Sequence, residues 1–184
     1  MAFRGPRAAA AALCAVAFIS APARAWLFDR GLEDTVDAMR DLFGKRELVA
    51  LYDRYVDPRL RAEIEASAAL IQKDRANGAL IARRLRFADR GEFQKAGPRR
   101  VVEHFFMAMK DPPGKKGGAV NNAEYLKTAF SLTVLFAHFD DGMRLVRREI
   151  AGNRAKLYYR GNNLKMIAYF TYRDKRWLIT RKGL

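Results

Sequence analysis

The chain has 184 residues, with 35 Lys and Arg against 20 Asp and Glu for a formal charge of +15, one cysteine and two histidines. Half of the residues are hydrophobic, a composition suited to one globular domain. A single thiol excludes an internal disulfide framework and a thiolate metal cluster, and two histidines cannot hold zinc without several carboxylates.

Arg4 and Arg7 precede an almost wholly apolar run, Ala8 to Ile19, followed by Ser20-Ala21-Pro22 and Ala23-Arg24-Ala25. A basic start, an apolar stretch of roughly a dozen residues and a small-residue site mark a secretory signal peptide. The stretch is shorter than the about 20 residues that cross a bilayer. A retained anchor is the alternative, because Arg24 interrupts the small-residue site. Cys14 follows Leu13 rather than a small residue, which argues against lipid attachment there. Cleavage after Ala25 divides the chain into a leader, 1–25, and a single α+β domain, 26–184, of 159 residues. The leader takes three arginines and no acid with it, so the domain keeps +12 and no cysteine. The expected location is periplasmic or secreted. A surplus of this size favours acidic partners without specifying a fold.

Trp26-Leu27-Phe28 is an apolar stub. From Leu32 the periodicity turns helical: Val36, Met39, Leu42 and Phe43 share a stripe, Glu33, Asp34 and Asp37 stand near the start, and Gly44-Lys45-Arg46 ends the helix. Leu48, Leu51, Tyr52 and Tyr55 mark a second helix that stops at Asp57-Pro58. A third runs from Pro58 to about Lys73 with Leu60, Ile64, Ala68 and Ile71 on one side. The segment 79–95 fits a helix or an outlying strand. Gly97-Pro98 opens a helix that buries Val101, Val102, Phe105, Phe106 and Met109. Asp111 to Gly118 is a basic loop rich in Pro and Gly. A last helix, from about Asn122 to Phe139, is expected to carry Tyr125, Leu126, Ala129, Phe130, Leu132 and Val134 toward a sheet.

The remainder reads as an antiparallel meander. Met143 to Ile150 loses its alternation at Val146, which predicts a bulge. Ala155, Leu157 and Tyr159 alternate with Lys156, Tyr158 and Arg160. Leu164 to Tyr172 alternate after Gly161-Asn162-Asn163, and Arg176 to Thr180 follow the turn at Arg173-Asp174-Lys175. Helices first and strands last predict an α+β fold, N-terminal helices packed on a curved, C-terminal antiparallel sheet of about four strands.

No phosphate-binding Gly-rich loop, Gly-x-Ser-x-Gly elbow or His-Glu-x-x-His helix is present, and no cofactor or metal is implied. The candidate catalytic groups are His104, beside Glu103, His138, two residues before Asp140, and Glu149; each reads equally as a structural residue. Arg83-Arg84, Arg99-Arg100, Lys115-Lys116 and Arg147-Arg148 would bind anions if they converged on one face, with Tyr158, Tyr159 and Tyr169 as stacking surfaces. No specific nucleic-acid signature accompanies them. Tyr125, Phe130, Tyr159, Phe170 and Trp177 are the candidate ligand-contacting aromatics.

Glu33-Asp34-Thr35-Val36, Leu48-Val49-Ala50-Leu51-Tyr52 and the Val56-Asp57-Pro58 stop resemble the entry of exported proteins with the nuclear transport factor 2-like fold. Gly152-Asn153-Arg154-Ala155 and Asp174-Lys175-Arg176-Trp177-Leu178-Ile179 are similar to that group's Gly-Asp-x-Ala strand entry and closing Asp-Gly-x-Trp-x-Ile hairpin, Asn153 and Lys175 being departures. The likeness covers about 32–58 and 122–181. It implies a cone, a curved sheet wrapped on a long helix with a pocket at the open end. The helical stretch 59–109 is longer than that fold supplies. Catalytic relatives use an acid or a His–Asp pair inside the cone, whereas from Met143 onward the only carboxylate side chains here are Glu149 and Asp174. The resemblance therefore implies a non-enzymatic exported member.

The leading expectation is a binding or accessory protein. Its apolar interior would hold a small apolar ligand or a segment of another protein. Its basic surface would favour an acidic envelope polymer, an anionic lipid surface or another envelope protein. The alternatives are a small cyclase, isomerase or hydrolase using a His or Glu base, and a structural subunit of an envelope complex. If the leader is cleaved, mass spectrometry of the exported protein finds Trp26 as its first residue; an intact Met1 in the membrane fraction is the result expected of an anchor.

Overall fold

The computed structural model describes residues 21–110, 120–140, 142–161 and 163–181, with side chains from Gly31 onward. The expected basic loop with Lys115 and Lys116, and most of the expected leader, lie outside the described residues. Seven α-helices precede a four-stranded antiparallel sheet, which is the expected α+β order. They are α1 (Ala21–Gly44), α2 (Leu48–Tyr55), α3 (Pro58–Gln72), α4 (Gly78–Arg84), α5 (Arg90–Lys95), α6 (Pro98–Lys110) and α7 (Ala123–Phe136). A 3₁₀ turn, Ala137–Phe139, leads into the meander β1 (Arg144–Ala151), β2 (Arg154–Arg160), β3 (Lys165–Arg173) and β4 (Arg176–Thr180). Among the described residues no helix is long and apolar enough to cross a membrane.

Helix α1 is already helical at Ala21, the first described residue, rather than from Leu32, so helical backbone runs through Ala23-Arg24-Ala25. Leu32, Val36, Met39 and Leu42 form its buried stripe. Its end follows from one left-handed residue: Arg46, φ 57°, lets its own N–H and that of Glu47 reach back to the carbonyls of Phe43 and Leu42. Helix α3 starts at Pro58, with the Asp57 carboxylate accepting from the Arg59 N–H. The four apolar residues expected on one side of α3 are all buried.

The segment 79–95 consists of two short helices. Asp89 caps α5 through the Glu92 N–H, and the Glu92 carboxylate accepts from the Ala88 N–H. The Gln72 amide donates to the carbonyls of Phe93 and Ala96, tying this segment to α3. Asp74 fixes the start of α7: it accepts from Asn77 and from the capping residue Asn122, and these donors pull its carboxyl down to about 2.

In the sheet, each strand pairs with the next, and the register slips between Leu145 and Arg147, so Val146 is the expected bulge. The inner face holds Ala155, Leu157, Tyr159, Ala168, Phe170, Trp177 and Ile179, all buried. β4 is locked to the helical layer at its free edge. Val56 bridges Ile179 in parallel, and the Asp57 N–H donates to the Ile179 carbonyl at 2.8 Å. Both faces of β4 are buried, Trp177 and Ile179 on one and Leu178 on the other.

Helix α7 presents only part of the expected face. Leu132, Phe136 and Thr128 are buried, whereas Leu126, Phe130 and Val134 are exposed. A helix that is apolar almost all round offers more than one stripe to bury, and packing against α3 selects this one. Replacing Trp177, which is fully buried against Tyr172, by Ala should cost about 3–5 kcal/mol. A urea titration with an unchanged slope and a lowered midpoint is the expected readout.

Candidate functional site: an apolar cavity between the helices and the sheet

A cavity of about 560 Å³ lies where α3 and α7 approach β3 and the end of β4. Its origin is a mismatch of strand lengths. β4 pairs with β3 only from Tyr169 to Arg173, so Lys165 to Ala168 have no β4 partner among the described residues. Helices α3 and α7 come up to that unpaired stretch without filling the gap. Leu60, Ile64, Leu135, Met166, Ala168 and Ile179 make its apolar wall. The size is that of a small-ligand site.

Of the polar side chains that line the cavity, three are buried: Thr128 from α7, His138 from the 3₁₀ turn and Thr180 from β4. Thr128 Oγ1, His138 Nε2 and Thr180 Oγ1 are buried and have no hydrogen-bond partner among the described residues. A buried donor or acceptor left unmatched costs about 1–3 kcal/mol, and these three belong to residues around one cavity. Tyr159 Oη, behind His138, is a fourth such atom. At the mouth stand Phe130, 69% exposed, with Val134 and Ile167. Arg181 and Glu63 form a bidentate pair at 2.9 Å across one side of the mouth.

His138 is packed on Phe139, Tyr159 and Phe170, with ring centroids 4.0, 5.0 and 6.4 Å away. Burial, with a smaller contribution from the Arg40 charge, pushes its imidazole down to about 3, so it is neutral near pH 7. Among the described residues no carboxylate hydrogen-bonds the ring; Asp140 accepts instead from the Gly142 N–H. Among the described residues the ring therefore has no carboxylate to orient it as a general base. Burial likewise raises the Tyr159 phenol to about 12, leaving it a neutral hydroxyl.

The other sequence candidates are elsewhere. His104 Nδ1 meets the Leu85 carbonyl at 2.7 Å and its ring stacks on Phe87 at 3.7 Å, so it ties α6 to the end of α4. Glu149 lies on the outer face of the sheet, accepting from the Tyr158 hydroxyl at 2.9 Å and pairing with Arg147 and Lys156. Of the five aromatics, Phe130 alone lines the cavity. Tyr125 packs on Phe105, and Tyr159, Phe170 and Trp177 lie in the core.

The basic pairs do not form one patch. Arg99 pairs with Asp53 and Glu103, and Arg100 with Glu92. Arg83 and Arg84 stand in the last turn of α4. Arg147 and Arg148 point to opposite sides of β1, the latter pairing with Glu33 of α1. The residues the sequence reading missed are the apolar and threonine liners. Nothing in the one-dimensional pattern distinguishes a cavity wall from a filled core.

Searches against protein-family models, curated proteins and solved structures found no match to this chain.

His138 links stability to pH. Its folded value lies below the ordinary 6.5, so the unfolded chain takes up the proton more readily. Its contribution is complete above about pH 6.5 and is lost as pH falls toward 3. In urea titrations across this interval, His138→Phe should flatten the decline relative to the parent protein, and an NMR titration should show no imidazolium at this position at pH 5.

Proposed function

We propose that this is an exported, non-enzymatic binding protein that carries a small amphipathic molecule in the cavity between α3, α7 and the sheet. The ligand has an apolar body, matching Ile64, Leu135, Met166 and Ile179, and uncharged hydrogen-bonding groups toward the polar residues of the wall, Thr128, His138 and Thr180. The observation that carries this reading is the coincidence of an apolar cavity with three partnerless polar side chains on its wall. A neutral imidazole can donate or accept, and a threonine hydroxyl can do both, so the set suits a hydroxyl, an ester, an amide or a protonated acid.

Export rests on the leader composition. The helix-then-meander order and the closing Trp177 hairpin support placing the chain beside the exported nuclear transport factor 2-like proteins it resembles. An enzymatic role for His138 has less behind it, because the ring lacks a carboxylate partner among the described residues and burial keeps it neutral.

Native mass spectrometry of protein taken from producing cells, together with displacement of a fluorescent long-chain alcohol, tests the proposal. Ser67 lines the cavity from α3 and is only half-buried, so Ser67→Trp should fill the mouth without disturbing the core. Probe affinity should fall at least about tenfold, and the unfolding midpoint should hold. Equal affinity in parent and variant would sink the reading.

A further inference from the structure

The face of the sheet turned away from the core has a composition unlike the rest of the molecule. Pairing sets Arg144, Arg160 and Lys165 in one row and Arg147, Tyr158 and Ile167 in the next, with Arg154 and Lys156 beyond. These cationic side chains are all exposed. Glu149 is the only carboxylate in the four strands. It is used by Arg147 and Lys156, while among the described residues Arg144, Arg160 and Lys165 have no carboxylate within ion-pair distance.

At the same end of the sheet three aliphatic side chains stand in solvent: Val146 at the bulge, 60% exposed, Leu164, 53%, and Ile167, 44%. Ile167 belongs to two features at once. It stands beside Tyr158 on the outer face and also lines the mouth of the cavity with Phe130 and Val134.

We infer that this end of the sheet is a docking surface for an anionic lipid bilayer. Cations in register provide attraction to negatively charged headgroups. The aliphatic side chains among them are the part that a purely electrostatic partner would leave unused, and they suit shallow insertion at the headgroup boundary. Single-stranded nucleic acid is the competing polyanion, but it needs open aromatic faces. The Tyr158 ring already has the Arg147 guanidinium 5.3 Å from its centroid, and its hydroxyl is held by Glu149. Tyr169 is partly buried and belongs to the cavity wall. This inference goes beyond the cavity reading and does not depend on what the cavity holds.

Flotation of the full chain with vesicles tests it, comparing phosphatidylcholine alone with phosphatidylcholine mixed with phosphatidylglycerol. Binding to the anionic vesicles should be at least about tenfold tighter than to the neutral ones. Arg144→Gln, Arg160→Gln and Lys165→Gln together should remove that preference while the thermal midpoint stays unchanged. Val146→Ser with Leu164→Ser should remove the fraction that stays bound in high salt. Ser67→Trp should float like the parent protein, which separates this surface from the cavity.

Equal binding to both vesicle types, or undiminished flotation of the triple-Gln variant, would overturn the inference. So would tighter binding of a single-stranded oligonucleotide than of anionic vesicles. Displacement from the vesicles by soluble glycerol phosphate at matched ionic strength would assign recognition to the free phosphate and would likewise overturn it.

Discussion

The short fourth strand is the constraint from which the rest of the molecule follows. Its five residues pair with one half of a nine-residue neighbour and leave the other half open. Backbone amides and carbonyls demand partners. β4 meets that demand on its far side through the Val56 bridge and the Asp57 amide, which fasten the α2–α3 junction to the sheet. With that junction fastened, α3 leaves from the edge of β4, and α7 packs on α3 rather than along the strands. The cavity is the space these two helices leave beyond the end of β4.

The two faces of the meander divide the labour. Ala155, Leu157 and Tyr159 turn inward with Ala168 and Phe170 and close a continuous aromatic and aliphatic core with Phe136, Phe139 and Phe106. The alternate residues turn outward and include Arg144, Arg147, Arg154, Lys156, Arg160 and Lys165. Period-two alternation thus separates the surplus charge from the core, so a basic chain can fold without bringing its cations together inside. The carboxylates of the helical layer are spent in exposed pairs such as Asp53–Arg99 and Glu92–Arg100. Pairs of this kind stabilise little, but they leave the outer sheet face as the place where positive charge is least answered.

Much of the fold is legible in the residues alone. Pro58 behind Asp57 marks a helix start because the ring fixes φ and the carboxylate caps the first turn. The bulge at Val146 is visible as an interruption of alternation. The segment 79–95 is ambiguous by apolar spacing, yet Asp89 and Glu92 contain a capping box that identifies a helix start. The face of α7 is not legible. Leu126, Phe130 and Val134 are as apolar as Leu132 and Phe136, and only the position of α3 decides which set is covered.

The sequence by itself determined the helices-then-meander order, the inward and outward sets of each strand, the absence of any thiol after Cys14, and the sign of the net charge. These depend on local periodicity and composition, which a linear chain records directly. The tertiary structure decided that β4 ends before β3 does, that the resulting gap is lined by Thr128, His138 and Thr180, and that Val146, Leu164 and Ile167 meet the arginines at one end of the sheet. Those depend on which residues distant in sequence become neighbours, and no spacing along the chain encodes the room left between them.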